Sequence, residues 1–340
     1  MSEIKKILYP SKIEENNLGD ILINALLVRE LTKNKEVYFK GKPNQQLLNL
    51  ITYNNKYSDN IKIINQIDIS HAVWKSKLQT LAYLIKGSNF YMVFDTPGHH
   101  PGFKSMYKNI LKLIFDSSKI LCYLFFKIKY VKYGITLGPF SGIVWGFQRI
   151  ISKLCFLIVP RDQKNADLLL EKGLKNTILK PDLAFLLVKE NGILANKKKK
   201  ISLSDSGIIT VSLRGSLVGK SLDQVYFEKI TEDTIALIHN LKKTKKVKRV
   251  NISYQVDADQ KTSFLLEKRL KKEFNDIDVI LYKNILHFQE ASDLYLKSGM
   301  VITNRLHVFL FAMACSTKSF IVTDIDNHMK IISIAEDLNL

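Results

Sequence analysis

The sequence is poor in cysteine and lacks any long apolar run free of charge. Its three cysteines, Cys122, Cys155 and Cys315, lie among apolar residues without CxxC or zinc-ligand spacing, so we predict buried thiols in a reducing compartment. No uncharged apolar run reaches the roughly 18 residues of a membrane-spanning helix. The N-terminal residues, MSEIKKILYP, do not resemble a signal peptide. These absences predict a cytoplasmic protein.

Acidic residues are also scarce. There are 32 of them against 51 lysines and arginines, which gives a net charge of +19. Such a charge favours an anionic partner, which can be a nucleic acid, a membrane surface or a phosphorylated substrate. The basic residues are spread over predicted linkers and helix faces without a nucleic-acid-binding motif. We therefore predict that no nucleic acid is a partner.

The GxGxxG signature of dinucleotide-binding proteins is absent, yet predicted strands and helices alternate as in a parallel, doubly wound sheet. Short apolar runs rich in β-branched residues predict the following strands: Lys6–Tyr9, Glu36–Phe39, Ile61–Ile64, Phe90–Phe94, Ile135–Leu137, Leu157–Val159, Ile208–Ser212, Val250–Tyr254, Val279–Leu281, Met300–Thr303 and Ser319–Thr323.

The number of strands and the length of 340 residues predict two domains, each large enough for its own core. Residues 191–206 contain Asn-Gly, four consecutive lysines and several serines, which is typical of a solvated linker. We therefore predict an α/β protein with two Rossmann-like domains, at residues 1–190 and 207–340, joined by this linker.

The segment 96–160 is unusually basic and aromatic. It holds nine lysines and arginines but a single acid, Asp116, and its pattern LKLIF…LCYLFFKIKYVKY is strongly apolar. This composition favours contact with anionic lipid headgroups, with the lysines reaching toward water. The alternative is a partly buried helix with solvated lysines. We predict a peripheral position at the inner face of the plasma membrane from the first interpretation.

Polar residues follow two predicted strands of the second domain. Asn304, Arg305 and His307 stand between the strand Met300–Thr303 and an apolar helical segment, and Arg214 follows the strand Ile208–Ser212. A helix N-terminus offers free N–H groups to an anion, an arginine can bind a carboxylate or phosphate through two hydrogen bonds, and a histidine can transfer a proton near neutral pH. The alternative is an unusual buried turn.

The first domain offers two further sets of polar residues past strand ends. Asn17, Gly19 and Asp20 precede a predicted helix that Asn17 or Asp20 can cap. Asp95 follows the strand Phe90–Phe94 and precedes two adjacent histidines on a Pro-Gly turn. These suggest either an acid/base or metal site or an exposed loop. Because no third ligand has suitable spacing, we predict no tightly bound metal.

Several short motifs, in this order, resemble the polysaccharide pyruvyl transferase family over nearly the whole chain. They are NLGD at 17–20, VPRD at 159–162, PDLAF at 181–185, VSLRGS at 211–216 and NRLH at 304–307. The sequence departs from the RDxxS pattern of the family, because Asn165 stands where serine is common. The resemblance implies a GT-B-like architecture with the active site in an interdomain cleft. It also implies transfer of the enolpyruvyl-derived group of phosphoenolpyruvate to a sugar as a pyruvate ketal.

These residue types suit that chemistry. Phosphoenolpyruvate carries a phosphate and a carboxylate, which Arg214 and Arg305 can bind together. His307 is the predicted general acid/base, Leu306 offers only its backbone amide, and Asp95 is predicted to orient the acceptor hydroxyl. Further binding residues are predicted at Asn17, Gly19, Asp20 and Asn304. The acceptor sugar is expected to be lipid-linked or nucleotide-linked. No cofactor is required, although a divalent cation can screen the phosphate.

The main alternative is a nucleotide-sugar glycosyltransferase of GT-B architecture. Such an enzyme usually places a glutamate at the C-terminal sheet edge to bind a ribose, and no glutamate of that form follows Gly299. The sequence therefore favours phosphoenolpyruvate as the donor.

Overall fold

A computed structural model describes residues 6–10, 17–40, 42–53, 55–64, 90–95, 97–100, 106–138, 140, 142–189, 201–216 and 222–322. The chain divides into two compact units. The first contains Met1–Ile13 and Ile23–Leu183, and the second contains Glu14–Leu22 and Ala184–Leu340.

The first unit is built on a parallel sheet of seven strands. In chain order these are β1 (Lys6–Pro10), β2 (Glu36–Lys40), β3 (Ile61–Ile64), β4 (Phe90–Phe94), β5 (Gly98–His100), β6 (Lys129–Leu137) and β7 (Leu157–Pro160). The sheet order runs β3-β2-β1-β4-β6, and β5 and β7 also pair with β6. Because Val131 of β6 pairs with both β4 and β7, these two strands occupy opposite edges of β6. The order therefore reverses between β1 and β4, as in a doubly wound sheet.

Strand β6 is much longer than the predicted strand Ile135–Leu137. It begins at Lys129, and its residues Tyr130, Val131 and Lys132 are at most 5% exposed. The prediction missed most of this central strand because lysines are typical of a solvated surface. Lys129 instead places its ammonium over the rings of Tyr91 and Phe156. Residues 129–133, the KYVKY end of the basic, aromatic segment, therefore lie in the sheet, while contact of the segment with lipid stays a prediction.

Within the described ranges, five helices accompany the first sheet: α1 (Leu18–Thr32), α2 (Gln45–Thr52), α3 (Met106–Phe125), α4 (Gly142–Leu154) and α5 (Gln163–Glu171). Side-chain caps fix two of their starts, because Asn44 accepts a hydrogen bond from Leu47 N at 2.7 Å and Asp162 accepts one from Asn165 N at 2.8 Å. Gly173 follows α5 with φ of 76°, the left-handed conformation that glycine commonly adopts just after a helix. Among the described residues, no helix is long and apolar enough to cross a membrane.

The second unit has a parallel five-stranded sheet with the order β10-β9-β8-β11-β12. Its strands are β8 (Ile208–Ser212), β9 (Arg249–Ile252), β10 (Asp278–Leu281), β11 (Met300–Thr303) and β12 (Ser319–Ile321). Its helices are α6 (Phe185–Lys189), α7 (Leu203–Ser206), α8 (Gln224–Thr244), α9 (Gln260–Glu273), α10 (Phe288–Lys297) and α11 (Leu306–Ala314). Residues such as Val211, Ile252 and Ile302 are fully buried between the sheet and these helices, and their burial drives folding of the unit.

The units do not divide the chain where the sequence-based boundaries do. Residues 190–200 lie outside the described residues, but the rest of the predicted linker contains α7, capped by Ser202 and ended by Gly207 in the left-handed conformation. Its Leu203 belongs to the core of the second unit. Residues 17–22, which the sequence assigns to the first domain, belong to the second unit.

Candidate active site

The candidate site lies at the C-terminal edge of the second sheet. Strand β8 is central, with β9 and β10 on one side and β11 and β12 on the other, so the strand order reverses between β8 and β11. Ligands of open α/β sheets bind at such a reversal. Arg214 follows β8, and Asn304 and Arg305 follow β11, which brings these three predicted residues to the same point.

The Asn304 side chain joins the ends of the two strands. Its Oδ1 accepts a hydrogen bond from Arg214 N at 2.7 Å, and its Nδ2 donates to Arg214 O at 2.9 Å and to Tyr226 Oη at 2.8 Å. Asn304 is only 2% exposed. Its amide thus pairs with the Arg214 main chain much as a neighbouring peptide group would, and fixes the point from which the Arg214 side chain starts.

Asp259 is a site residue that the sequence analysis missed. Its buried carboxylate forms an ion pair with the Arg305 guanidinium, whose side chain is 17% exposed. Asp259 lies in a short 3₁₀ turn, Asp257–Asp259, between β9 and α9. The sequence feature that could have revealed Asp259 is the position of β9. This strand ends at the same sheet edge as β8 and β11, so acidic residues after it lie near the arginines.

Burial makes these charges costly. It raises the pKa of Asp259, while the positive charges of Arg305 and Arg214 lower that pKa. Burial also lowers the pKa of Arg214, and the nearby charge of Arg305 lowers it further. Two guanidinium groups and one carboxylate therefore share a partly desolvated space with a net positive charge, in which a bound anion would relieve the repulsion between the arginines.

Arg305 retains binding capacity beyond its contact with Asp259. Its Nε is buried and, in the part of the chain that the structure describes, has no hydrogen-bond partner. Arg305 is also the N-cap of α11, where the amides of the first turn lack intrahelical acceptors. Leu306 is 8% exposed, so only its backbone amide faces this region. A buried donor next to a helix N-terminus is suited to an anion.

His307 contacts the NLGD segment within the second unit. A Cβ atom at Gly19 would overlap Nδ1 of His307 and lie 2.9 Å from its Cγ, so only glycine permits this approach. Asn17 caps α1, because its Oδ1 accepts a hydrogen bond from Asp20 N at 3.3 Å and its Nδ2 donates to Asp20 Oδ2 at 2.9 Å. The cap made by Asn17 and Asp20 thus holds Gly19 against the histidine.

Asp95 lies in the first unit, at the reversal between β1 and β4. Its carboxylate accepts a hydrogen bond from Tyr130 Oη at 2.7 Å. Burial, and then the negative charge of Asp95, raise the pKa of both Tyr9 and Tyr130. The histidines that follow, His99 and His100, are in strand β5 and not on a loop. The role of Asp95 toward an acceptor stays a prediction.

The VPRD and PDLAF motifs meet in a buried network of the first unit. Arg161 donates from Nε to Thr136 Oγ1 at 3.1 Å and from a terminal nitrogen to Asp182 Oδ2 at 3.4 Å. The Asn165 side chain accepts from Leu137 N at 3.2 Å and donates to Leu137 O at 3.0 Å, which confirms asparagine as a hydrogen-bonding partner in place of serine. These motifs hold the sheet edge together.

No group of three or more His, Cys, Asp or Glu side chains among the described residues is arranged to hold a metal ion. Asp324, Asn327, His328 and Lys330, which follow the last strand in the sequence, lie outside the described residues.

Comparisons with known proteins agree with this organisation. Residues 17–327 match the model of a protein family described as polysaccharide pyruvyl transferase, whereas no curated protein matches the sequence. A putative UDP-N-acetylglucosamine 2-epimerase from Listeria monocytogenes has a similar structure, with a TM-score of 0.54 and 11% identity over 99% of this chain and 88% of that chain.

The UDP-N-acetylglucosamine 2-epimerase from Neisseria meningitidis, bound to UDP-N-acetylglucosamine, is also similar, with a TM-score of 0.50 and 12% identity over 99% of this chain and 91% of that chain. At such identities the likeness concerns the fold alone. It confirms the predicted fold class, two Rossmann-like α/β units of the GT-B kind, while the predicted interdomain cleft stays a prediction.

Proposed function

Because the chain belongs to the polysaccharide pyruvyl transferase family, we propose that it transfers the enolpyruvyl-derived group of phosphoenolpyruvate to a sugar. The sugar is part of a surface polysaccharide or of its lipid-linked or nucleotide-linked precursor, and the products are a pyruvate ketal and inorganic phosphate. One observation carries the proposal: Arg214 and Arg305 adjoin a helix N-terminus, with a buried Arg305 Nε that lacks a partner among the described residues.

The cation cluster suits a small molecule with two anionic groups. Arg305 and the first amides of α11 bind one group, and Arg214 binds the other. Asp259 offsets one positive charge of the site and limits the repulsion between the arginines. Phosphate and carboxylate together carry more negative charge than Asp259, so phosphoenolpyruvate competes effectively for the guanidinium groups.

His307 transfers the protons in the proposed reaction. The methylene carbon of the enol accepts a proton from the imidazole, and the central carbon becomes electrophilic. A first sugar hydroxyl adds to that carbon and gives its proton to the imidazole. The bond from the carbon to the phosphate oxygen then breaks, a second hydroxyl adds to the same carbon and closes the ketal, and its proton goes to the departing phosphate. Such proton transfer contributes about 10²–10⁴-fold to the rate. No step requires a metal, although a divalent cation can screen the phosphate.

The remaining predicted residues receive roles on the acceptor side and in positioning. Gly19 permits the approach of His307, and Asn17 and Asp20 hold Gly19 there through the cap. Asn304 positions the Arg214 main chain. Asp95 is proposed to orient the acceptor hydroxyl.

The donor is tested by calorimetric titration with phosphoenolpyruvate and with UDP-N-acetylglucosamine, followed by product analysis with lipid-linked and nucleotide-linked sugars. We expect phosphoenolpyruvate to bind in the absence of an acceptor sugar. Inorganic phosphate should be released only when an acceptor sugar is present. His307→Ala should lower phosphate release by about 10²–10⁴-fold while binding persists. His239→Ala is the matched control, because His239 is an exposed histidine of the same unit that pairs with Glu273.

The alternative, a GT-B enzyme that uses a nucleotide sugar as donor, is favoured by the fold shared with UDP-N-acetylglucosamine 2-epimerases. The leaving group separates the two functions, because this alternative releases UDP and needs no phosphoenolpyruvate. Release of UDP from a UDP-sugar in the absence of phosphoenolpyruvate would therefore overturn the proposal.

A further inference from the structure

Helix α3 carries an apolar stripe that faces solvent. Tyr107, Ile114, Leu121 and Phe125 recur at intervals of seven, seven and four residues, which places them on one helix face. Their exposed fractions are 69%, 58%, 56% and 82%. The stripe runs about 27 Å along the helix at 1.5 Å per residue. Isolated exposed apolar residues are ordinary, but several large ones on one helix face indicate a contact surface.

Helix α4 continues this surface. Ile143, Phe147 and Ile150 occupy one face at intervals of four and three residues, and all three are exposed. Helices α3 and α4 pack against each other, and their connections to β6 and β7 move across the sheet in one direction, which places both helices on the same sheet face. We call these seven residues the α3–α4 face.

The charges around the α3–α4 face are almost all positive. Lys127, Arg149 and Lys153 are exposed on or beside the two helices, and Asp116 is the single acid of the whole segment 96–160. Long cationic side chains beside an apolar stripe can reach toward anionic headgroups while the apolar residues enter the acyl boundary. Strand β6 does not contribute, since its residues Tyr130, Val131 and Lys132 are buried.

We propose that the α3–α4 face binds an anionic lipid surface, with its aromatic and aliphatic residues inserted and its cations at the headgroups. A second copy of the chain fits this face poorly, because two equally basic surfaces would be brought together without compensating acids. The proposal does not depend on the reaction that the site of the second unit performs.

Co-sedimentation of the full chain tests the proposal with vesicles of phosphatidylcholine alone and of phosphatidylcholine with one third phosphatidylglycerol. We expect binding to the mixed vesicles that weakens at high salt. The variant Leu121→Ser, Phe125→Ser, Ile150→Ser should bind at least about tenfold more weakly. The matched control, Val225→Ser, Phe264→Ser, removes exposed apolar residues of the second unit and should bind as the unmodified chain does.

The charge contribution has its own pair of variants. The double variant Arg149→Glu, Lys153→Glu should lower partitioning onto the mixed vesicles by at least about 25-fold. The control is the double variant Lys245→Glu, Lys246→Glu, which changes the net charge equally but lies outside the α3–α4 face. Its loss of partitioning should be several-fold smaller. Circular dichroism establishes that each variant is folded.

Absence of binding to the mixed vesicles at low salt would overturn the proposal, as would equal losses in the test and control variants. A dimer seen by analytical ultracentrifugation and abolished by the apolar variant, without vesicle binding, would assign the face to a second copy and would equally overturn it.

Discussion

In both sheets an asparagine side chain pairs with the main chain of a residue at a strand end, but the residues that it holds differ. In the first unit the Asn165 amide takes the N–H and C=O of Leu137, and in the second unit the Asn304 amide takes the N–H and C=O of Arg214. Leu137 is buried, so the first clamp completes a core. Arg214 is half-buried beside Arg305, so the second clamp holds a cation at the candidate site.

The arginines of the two sheet edges differ in the same way. Arg161 is 5% exposed, and its Nε and a terminal nitrogen are both used by Thr136 and Asp182. Arg305 also has an aspartate partner, yet its Nε has no acceptor among the described residues. An arginine at a strand end is thus structural where its donors are satisfied and is a candidate ligand where they are not. Residue type alone does not separate the two cases.

Exchanging each arginine for lysine gives the strongest test of this difference. Arg305→Lys should lower transfer from phosphoenolpyruvate by about 10³-fold, because a lysine keeps the charge but loses the Nε donor and the planar geometry. The free energy of unfolding, measured in urea, should fall by less than in Arg161→Lys, because a lysine still offers Asp259 a charged partner. Arg269→Lys at an exposed ion pair with Glu232 is the control and should leave transfer unchanged. An unchanged rate in Arg305→Lys would place the anion elsewhere.

Arg161→Lys should show the opposite profile. A lysine cannot serve Thr136 and Asp182 together, so the buried carboxylate loses much of its compensation, and the free energy of unfolding should fall by about 3 kcal/mol. Transfer per folded molecule should stay within about twofold. The measurement combines urea unfolding with an assay corrected for the folded fraction. A large loss of transfer without loss of stability would make Arg161 a ligand as well.

Gly19→Ala tests the contact with His307. The added methyl group overlaps the imidazole, so the ring must move, and a displacement of about 1 Å at a catalytic group costs about 10²-fold in rate. Binding of phosphoenolpyruvate in calorimetry should persist. Gly146→Ala is the control, because a Cβ atom there meets no atom within 4 Å. Full transfer by Gly19→Ala would show that the ring position is unimportant.

Removing each asparagine clamp compares the two devices directly. Asn165→Ala and Asn304→Ala should each lower the free energy of unfolding by about 1–3 kcal/mol, because main-chain groups lose buried partners. Only Asn304→Ala should also weaken the binding of phosphoenolpyruvate, since only that clamp holds a cation. Equal binding by both variants would contradict the assignment of Arg214 to the anion site.

The pH dependence of stability should give the smallest effect. The pKa of Asp259 is raised by burial, so the folded chain binds this proton more tightly than the unfolded chain does. Between the ordinary aspartate value near pH 4 and the raised folded value, stability therefore falls as pH rises. Asp259→Asn should remove this slope in urea unfolding at a series of pH values. An unaltered slope would mean that Asp259 has an ordinary pKa.

Much of the fold follows from local sequence. The predicted bounds of Ile61–Ile64, Phe90–Phe94, Ile208–Ser212 and Met300–Thr303 are those of β3, β4, β8 and β11, because each is a short apolar run that ends abruptly. The length of strand β6 was underestimated, because lysines in a sequence are typical of a solvated surface. Only the structure shows that Lys129 lies over aromatic rings.

The candidate site was predictable where it follows strands directly, as for Arg214 and Arg305. Asp259 was not predicted, because its proximity to Arg305 depends on the side-by-side arrangement of β9, β8 and β11. The contact between Gly19 and His307 joins residues almost 290 positions apart in the sequence, and no local pattern reports such a distance.

The clamp at Arg214 also has a consequence for engineering. Asn304 holds the N–H and the C=O of residue 214, and these main-chain groups are the same for most side chains that the residue could carry. The main chain would therefore keep its course when that side chain is exchanged for glutamine, histidine or lysine. Position 214 can be randomised in a library without loss of the surrounding turn, and selection there would alter which donors the protein accepts while leaving its scaffold as it is.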